Sequence, residues 1–252
     1  MARWISYILL FSVFAGLSAC SRKQGDAETI LAQPLVSTET EISLPTLPPP
    51  DSPTEERMRE MGLVDITEID SSIRVHLVYA TADNFLGYIL YEDIRKAFLL
   101  PVAAEKLSDA RRRLQAERPE LTFLVYDAAR PFSVQEQMWK EAVKQGKLDY
   151  VANPKKGGGL HNYGAAVDLT LCDLAGNPLP MGSPYDYLGV ESNIDRENDL
   201  LRKGEITQRE LDNRRLLRRA MTGAGFRTVT SEWWHFNLIS RAQAVATLQK
   251  VE

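Results

Sequence analysis

Only three histidines occur in the chain, and two of them stand beside acidic residues in short stretches rich in glycine or tryptophan. The first stretch is Gly-Gly-Gly-Leu-His-Asn-Tyr-Gly-Ala-Ala-Val-Asp at residues 157–168, and the second is Ser-Glu-Trp-Trp-His at residues 231–235. Imidazole and carboxylate are the protein ligands of catalytic zinc, which takes three of them and keeps a fourth position for a water whose pKa falls to about 7. His161, Asp168 and His235 supply such a set, for one zinc per chain. Glu232, three residues before His235, is left as a general base for the water.

The elements around these residues must bring them together. Gly164, between His161 and Asp168, lets the chain turn sharply before a strand over Ala165–Leu171. In that strand Val167, Leu169 and Leu171 alternate with Ala166, Asp168 and Thr170, so the carboxylate shares a face with small residues that leave room for a metal. Thr228–Leu238 reads as a second strand, in which Glu232 and His235 would point to opposite faces. If both serve one metal, a bulge or turn is expected at Trp233 or Trp234.

The rest of the chain reads as a frame. Ile73, Val75, Leu77 and Tyr79 alternate with polar neighbours as a strand, on whose polar face His76 is solvated. Thr81–Lys96 is irregular. Pro101 opens a helix with a stripe of Ala103, Leu107, Ala110 and Leu114, closed by Pro119; its Arg111, Arg112 and Arg113 read as solvated. Leu121–Tyr126 is a buried strand ending at Asp127 and Arg130. Ser133 and Glu136 suggest a capping box for a helix ending at Gly146, so Arg130 sits on a strand-to-helix turn. There its guanidinium either holds a carbonyl or carboxylate oxygen or forms a structural pair with Asp127.

Thr207 and Glu210 cap a further helix through Met221, with Arg214, Arg215, Arg218 and Arg219 on a solvated face. Strands and helices mix without regular alternation, which predicts an α+β domain with a central antiparallel sheet and helices packed on it. The composition, 44% hydrophobic and 25% charged over 252 residues, suits one substantial core. A net charge of −4 gives no electrostatic reason to expect a nucleic-acid partner.

The amino terminus has a different character. Arg3 precedes an apolar run from Trp4 to Leu17 that ends Leu17-Ser18-Ala19-Cys20. The run has the length of a signal-peptide core rather than of a membrane span. The ending resembles a lipoprotein cleavage site, which predicts a signal peptide over 1–19 and a lipidated Cys20 that anchors the chain to membrane; the plainer reading is a secretory signal cleaved after Ala19. Ser21 is compatible with the outer membrane, facing the periplasm. Residues 20–60, with Pro45, Pro48, Pro49, Pro50 and Pro53, read as a flexible tether, and residues 61–252 as the domain. With Cys20 lipidated, Cys172 has no disulfide partner and reads as a small buried thiol.

His161 to Asp168 and Glu232 to His235 resemble the paired motifs of D-alanyl-D-alanine dipeptidases of the VanX type, a branch of the zinc D,D-peptidases. Tyr-Ala-Thr-Ala-Asp-Asn-Phe at 79–85, Asp-Ala-Ala-Arg-Pro at 127–131 and Met-Gly-Ser-Pro-Tyr-Asp at 181–186 extend the similarity over about residues 64–240. The resemblance implies zinc on His161, Asp168 and His235, Glu232 as catalytic base, Arg130 near the scissile carbonyl, and a small D-amino-acid dipeptide as substrate. It also makes Asn84, Phe85 and Tyr91 candidates for the pocket wall, against an ordinary core role for the two aromatics. The family often carries Ser where this chain has Gly159, a departure that touches substrate choice rather than the metal. Two other functions suit the same motifs. One is a D,D- or L,D-carboxypeptidase acting on peptidoglycan stems. The other is a non-catalytic zinc module like the signalling domain of Hedgehog proteins, against which Glu232 and Arg130 argue.

Overall fold

The computed structural model describes residues 49–148 and 150–252; the expected signal peptide, Cys20 and the first part of the expected tether lie outside the described residues. Pro49–Glu252 form one compact unit. Its elements run α1 (Pro53–Glu60), β1 (Val64–Asp65), α2 (Ile66–Ile69), β2 (Arg74–Val75), β3 (Phe98–Leu99), α3 (Pro101–Glu117), β4 (Leu121–Asp127) and α4 (Phe132–Gln145). They continue with β5 (Ala166–Asp173), α5 (Glu197–Lys203), α6 (Gln208–Gly223), β6 (Arg227–Thr228), β7 (His235–Asn237) and α7 (Arg241–Thr247).

A five-stranded sheet in the order β2-β4-β5-β7-β6 is the frame of the molecule, and β1 and β3 form a separate small ribbon. The α+β class is as expected, but the sheet is not wholly antiparallel: β2 lies parallel to β4 at one edge. The chain between those strands includes α3, a crossover of the kind parallel pairing requires. Across β4 and β5, Phe123 stands opposite Leu171 and Val125 opposite Leu169, and Val167 faces Phe236 of β7. These side chains are fully buried in one core with Leu107, Ala110 and Leu114 of α3 and Leu217 and Met221 of α6. Each such side chain stabilises the fold by roughly 1.5–3 kcal/mol relative to exposure. Alternation leaves Asp168 on the opposite face of β5, away from that packing.

The folded unit begins earlier than residue 61. Ser52 and Glu55 form a reciprocal capping box at the start of α1, and Met58 is fully buried in the main core. The prolines that suggested a tether include Pro53, which instead occupies the first turn of this helix, where its missing N–H costs nothing. The strand expected over Ile73–Tyr79 shrinks to two residues, because Val78–Ala80 form a 3₁₀ turn and the carbonyl of Tyr79 receives the N–H groups of Leu90 and Tyr91. No box forms at Ser133 either. Helix α4 starts two residues earlier with Pro131 as its cap, so Ser133 is already inside the helix; Gly146 ends it in the left-handed conformation.

Two arginines expected to be solvated are not. Arg111 donates to the buried carboxylate of Asp70 at 2.7 Å, and Arg214 is 1% exposed. Helical periodicity marked both positions as polar, but Asp70 at the end of α2 meets the first and the segment from Met181 to Glu191 covers the second, which a pattern within one helix cannot reveal. His76 is exposed and Cys172 is a buried free thiol. Among the described residues no helix is long and apolar enough to cross a membrane.

Candidate metal centre and active site

Three neighbouring strands set the site by register. A β-bulge at Tyr126 in β4 shifts the pairing so that Asp127 stands opposite Asp168, and Asp168 in turn stands opposite His235. Directly paired residues have Cβ atoms only about 4.5–5.5 Å apart. His161 arrives from a 3₁₀ turn over Leu160–Tyr163, closed by Gly164 at φ +63°. A Cβ at Gly164 would lie 2.7 Å from Leu63 Cδ2, so both the conformation and the space require glycine. The turn is tied to the end of β4 twice: Arg130 N donates to His161 O at 3.0 Å, and His161 Nδ1 donates to Ala128 O at 2.7 Å.

A carbonyl oxygen can only accept, so His161 is protonated on Nδ1 and presents a lone pair on Nε2. His235 has the reverse arrangement: its Nε2 donates to Asn237 Oδ1 at 2.9 Å, freeing Nδ1. The two free nitrogens lie 3.1 Å apart, and Asp168 Oδ1 lies 3.2 Å from one and 2.8 Å from the other. With both imidazoles neutral, three lone-pair donors thus converge, a repulsive arrangement unless a cation, a proton or a metal ion, sits among them. Their donor atoms all lie within 4.8 Å of one another. The other oxygen of Asp168 accepts from Tyr185 at 3.1 Å, which fixes the plane of the carboxylate.

The electrostatics agree with a cation site. Burial opposes ionisation of Asp168, yet His161 and His235 hold its pKa well below the usual carboxylate range. Burial likewise opposes charge on His235, but Asp168 raises it to about 9. Glu232 lies alongside, its Oε2 3.8 Å from His235 Nδ1, too far for a hydrogen bond. Burial raises its pKa to about 7, against the attraction of His235. Trp233 and Trp234 form the anticipated turn between Glu232 and β7, so the two functional side chains escape strand alternation.

All of these groups open onto a cavity of about 570 Å³. Arg130 lines it, held from behind by Asp127, by Gln135 Oε1 at 2.9 Å, and by the Tyr79 ring at 5.2 Å from its guanidinium carbon. The structural pair with Asp127 and the cavity position therefore coexist, because a guanidinium has five N–H groups and the hydrogen bonds use three, two to Asp127 and one to Gln135. Phe85 and Gly159 also line the cavity, whereas Asn84 and Tyr91 do not. Asn84 organises its own loop, accepting from Leu86 N at 2.9 Å and donating to Thr81 O and Tyr88 O. Tyr91 is buried and donates to Asp127 Oδ1 at 2.6 Å, so it steadies the partner of Arg130.

The cavity contains a residue that sequence reasoning did not single out. Among the described residues, Asp186 is the one carboxylate of its wall besides Asp168 and Glu232. It accepts from Tyr79 Oη at 3.0 Å and from Phe85 N at 3.1 Å, and burial raises its pKa to about 7. It is also the sole non-glycine with positive φ among the described residues, at +63°. Its signal in the sequence was the Met181–Asp186 stretch, which carried the family resemblance but named no role.

A buried His-Asp-His cluster on an α+β frame, with a free carboxylate at its side and a cavity before it, defines a metallopeptidase. A profile of the D-ala-D-ala dipeptidase family matches residues 59–250, and the chain belongs to that family. It is 34% identical over 176 residues to the D-alanyl-D-alanine dipeptidase of Escherichia coli, covering 70% of this chain and 84% of that protein. It is 29% identical to the D-alanyl-D-alanine dipeptidases of Enterococcus faecalis over 201 residues and Streptomyces coelicolor over 190 residues. Those alignments cover 71% and 69% of this chain, and 93% and 89% of the relatives.

Proposed function

We propose that this peptidase is a zinc enzyme of the cell envelope that hydrolyses the free dipeptide D-Ala-D-Ala. The observation that carries the reading is the pairing, in one cavity, of a three-donor metal cluster with Glu232, a carboxylate that makes no hydrogen bond among the described residues. Two imidazoles and one carboxylate match the ligand chemistry of catalytic zinc, so His161, Asp168 and His235 would hold the metal. When bound, zinc supplies Lewis acidity, making water a stronger acid and polarising the scissile carbonyl.

The protein groups do the rest. Glu232 accepts the proton of the attacking water and returns it to the leaving amine. Arg130 offers its remaining N–H groups to the oxygen that gains charge in the transition state, and Asp127 and Gln135 keep it in place beforehand. Asp186 supplies a carboxylate for the ammonium end, which a free dipeptide has and the acylated D-Ala-D-Ala of a stem peptide lacks. Burial alone leaves it reluctant to ionise, and an ammonium restores its charge. This favours a dipeptidase over a carboxypeptidase, and the presence of Glu232 and Arg130 in the cavity wall argues against a non-catalytic module.

The test is turnover of D-Ala-D-Ala beside N-acetyl-D-Ala-D-Ala, with metal content measured on the same preparation. One zinc per chain and strong preference for the free amine support the reading. Equal or better cleavage of the blocked dipeptide would move the function to a carboxypeptidase. The placement in the envelope rests on Cys20: the wild type is expected to partition with membranes and Cys20→Ser to remain an unlipidated precursor, whereas an unmodified wild type free in the periplasm would leave only an ordinary secretory signal.

A further inference from the structure

We propose that Arg214 of α6 is a positioning residue for amine recognition: it holds the Pro180–Ser192 loop from behind, so that Asp186 keeps its strained backbone and its place in the cavity wall. The proposal rests on the assignment of Asp186 to the substrate ammonium. Arg214 is 1% exposed, and among the described residues no carboxylate lies within ion-pair distance of it. Its partners are loop atoms. Nε donates to Met181 O, and Nη2 donates to Glu191 O at 2.8 Å and lies 3.5 Å from Ser183 Oγ. Nη1 is buried without any hydrogen-bond partner. The neighbouring Asn213 donates to Pro180 O at 2.9 Å, so α6 grips the loop near both of its ends.

A buried guanidinium with an unsatisfied N–H and no counter-ion is a costly way to fasten a loop. The cost has an object here, because the loop carries two groups of the site. Tyr185 reaches Asp168, and Asp186 receives Tyr79 and Phe85 while holding φ at +63°. A non-glycine residue persists in that region only where its surroundings over-determine it. The loop is also packed tightly against α6: a Cβ at Gly182 would lie 2.6 Å from Ile206 Cγ2 and 3.3 Å from Arg214 Nη2. A second path leads to the base, since Arg214 lies over the Trp233 ring at 5.9 Å and Trp233 Nε1 donates to Ser183 Oγ at 2.9 Å. The two paths predict different kinetics. Misplacing Asp186 weakens binding of the free amine alone, whereas misplacing Glu232 lowers kcat on free and blocked substrates alike.

The experiment compares Arg214→Met, Arg214→Lys, Asp186→Asn and the double variant Arg214→Lys with Asp186→Asn in the full, metal-loaded chain. KM and kcat are measured on D-Ala-D-Ala and on N-acetyl-D-Ala-D-Ala. Arg214→Met is expected to keep its metal, to raise KM for the free dipeptide by about tenfold or more, and to lose preference for the free amine by a similar factor, as for a misplaced binding group. Arg214→Lys is expected to lie between, and to add nothing to Asp186→Asn in the double variant, because the two act in series. If Arg214→Met does not fold, Arg214→Lys and Asn213→Ala, which frees the start of the loop at Pro180, carry the comparison. Undiminished preference for the free amine in these variants, an equal loss of kcat on both substrates, or additivity in the double variant overturns the proposal while leaving Asp186 in its role. Full preference in Asp186→Asn overturns both.

Discussion

Replacing Glu232 separates water activation from metal binding, because the structure places its carboxylate beside the ligand cluster without making it part of the cluster. Oε2 stands 3.8 Å from His235 Nδ1, and among the described residues no hydrogen bond holds the carboxylate in place. The backbone turn at Trp233 and Trp234 is held by other contacts, including Trp233 Nε1 to Ser183 Oγ and Leu169 N to Trp234 O at 3.1 Å. Glu232→Gln, equal in shape, is therefore expected to fold and to keep its metal. A general base contributes about 10²–10⁴ in rate, or roughly 2.7–5.5 kcal/mol of barrier at about 1.36 kcal/mol per tenfold. The expected kcat is lower by that factor, and the acidic limb of the pH–rate profile disappears with the group that titrates.

The assay is metal per chain by elemental analysis beside kcat on D-Ala-D-Ala, for Glu232→Gln, Glu232→Ala, His161→Ala and His235→Ala together. The two ligand variants are expected to lose metal and turnover in parallel, since each removes one of three donors. The base variants are expected to lose turnover alone. Turnover within tenfold of wild type in Glu232→Gln, or loss of its metal, refutes the division of roles and sends the search for the base elsewhere in the cavity.

Three further outcomes follow from particular residues. Asp186 has its pKa raised to about 7 by burial, and only its ionised form attracts an ammonium; KM for the free dipeptide is therefore expected to climb as pH falls through about 7, with no such rise in Asp186→Asn. Gly164→Ala is expected to destabilise the fold by roughly 1–2 kcal/mol for the left-handed backbone alone, with more for the displacement of Leu63, and denaturant unfolding measures it. Met58→Ala, in a helix that the sequence reading assigned to the tether, is expected to cost about 2–5 kcal/mol in the same assay; a loss near zero would return residues 53–60 to the tether.

The metal cluster was legible in the sequence because its residue types are scarce and its spacing has geometric meaning. Two histidines out of three stood near carboxylates, and Gly164 announced the turn that brings His161 back to the strand of Asp168. Even the break in strand alternation at Trp233 and Trp234 followed from requiring Glu232 and His235 to serve one centre. What failed to show was anything decided by contact between distant segments. The parallel edge strand, the burial of Arg111 against Asp70 and the inclusion of α1 in the core each depend on partners that no local pattern names. Asn84 and Tyr91 lay in the right segment, yet one turned to its own loop and the other to Asp127, a choice made by side-chain geometry alone.

The layout of the sheet explains why the chemistry concentrates where it does. β5 is the central strand and is bonded on both sides, so Asp168 cannot shift without disturbing β4 and β7 together. Each neighbour contributes at the same level: β7 carries His235 itself, and the end of β4 carries the carbonyl that fixes the tautomer of His161 and the arginine that faces the cavity. The bulge at Tyr126 is what aligns that level, since without the extra residue Asp127 would not stand opposite Asp168, nor Arg130 beside the metal ligands. On the proposed reading, recognition of the substrate falls instead to loops, Tyr79–Phe85 on one side and Tyr185–Asp186 on the other, which meet through the Asp186 carboxylate. Specificity can therefore change by altering loop contacts while the rigid sheet keeps the metal and the proton path in register.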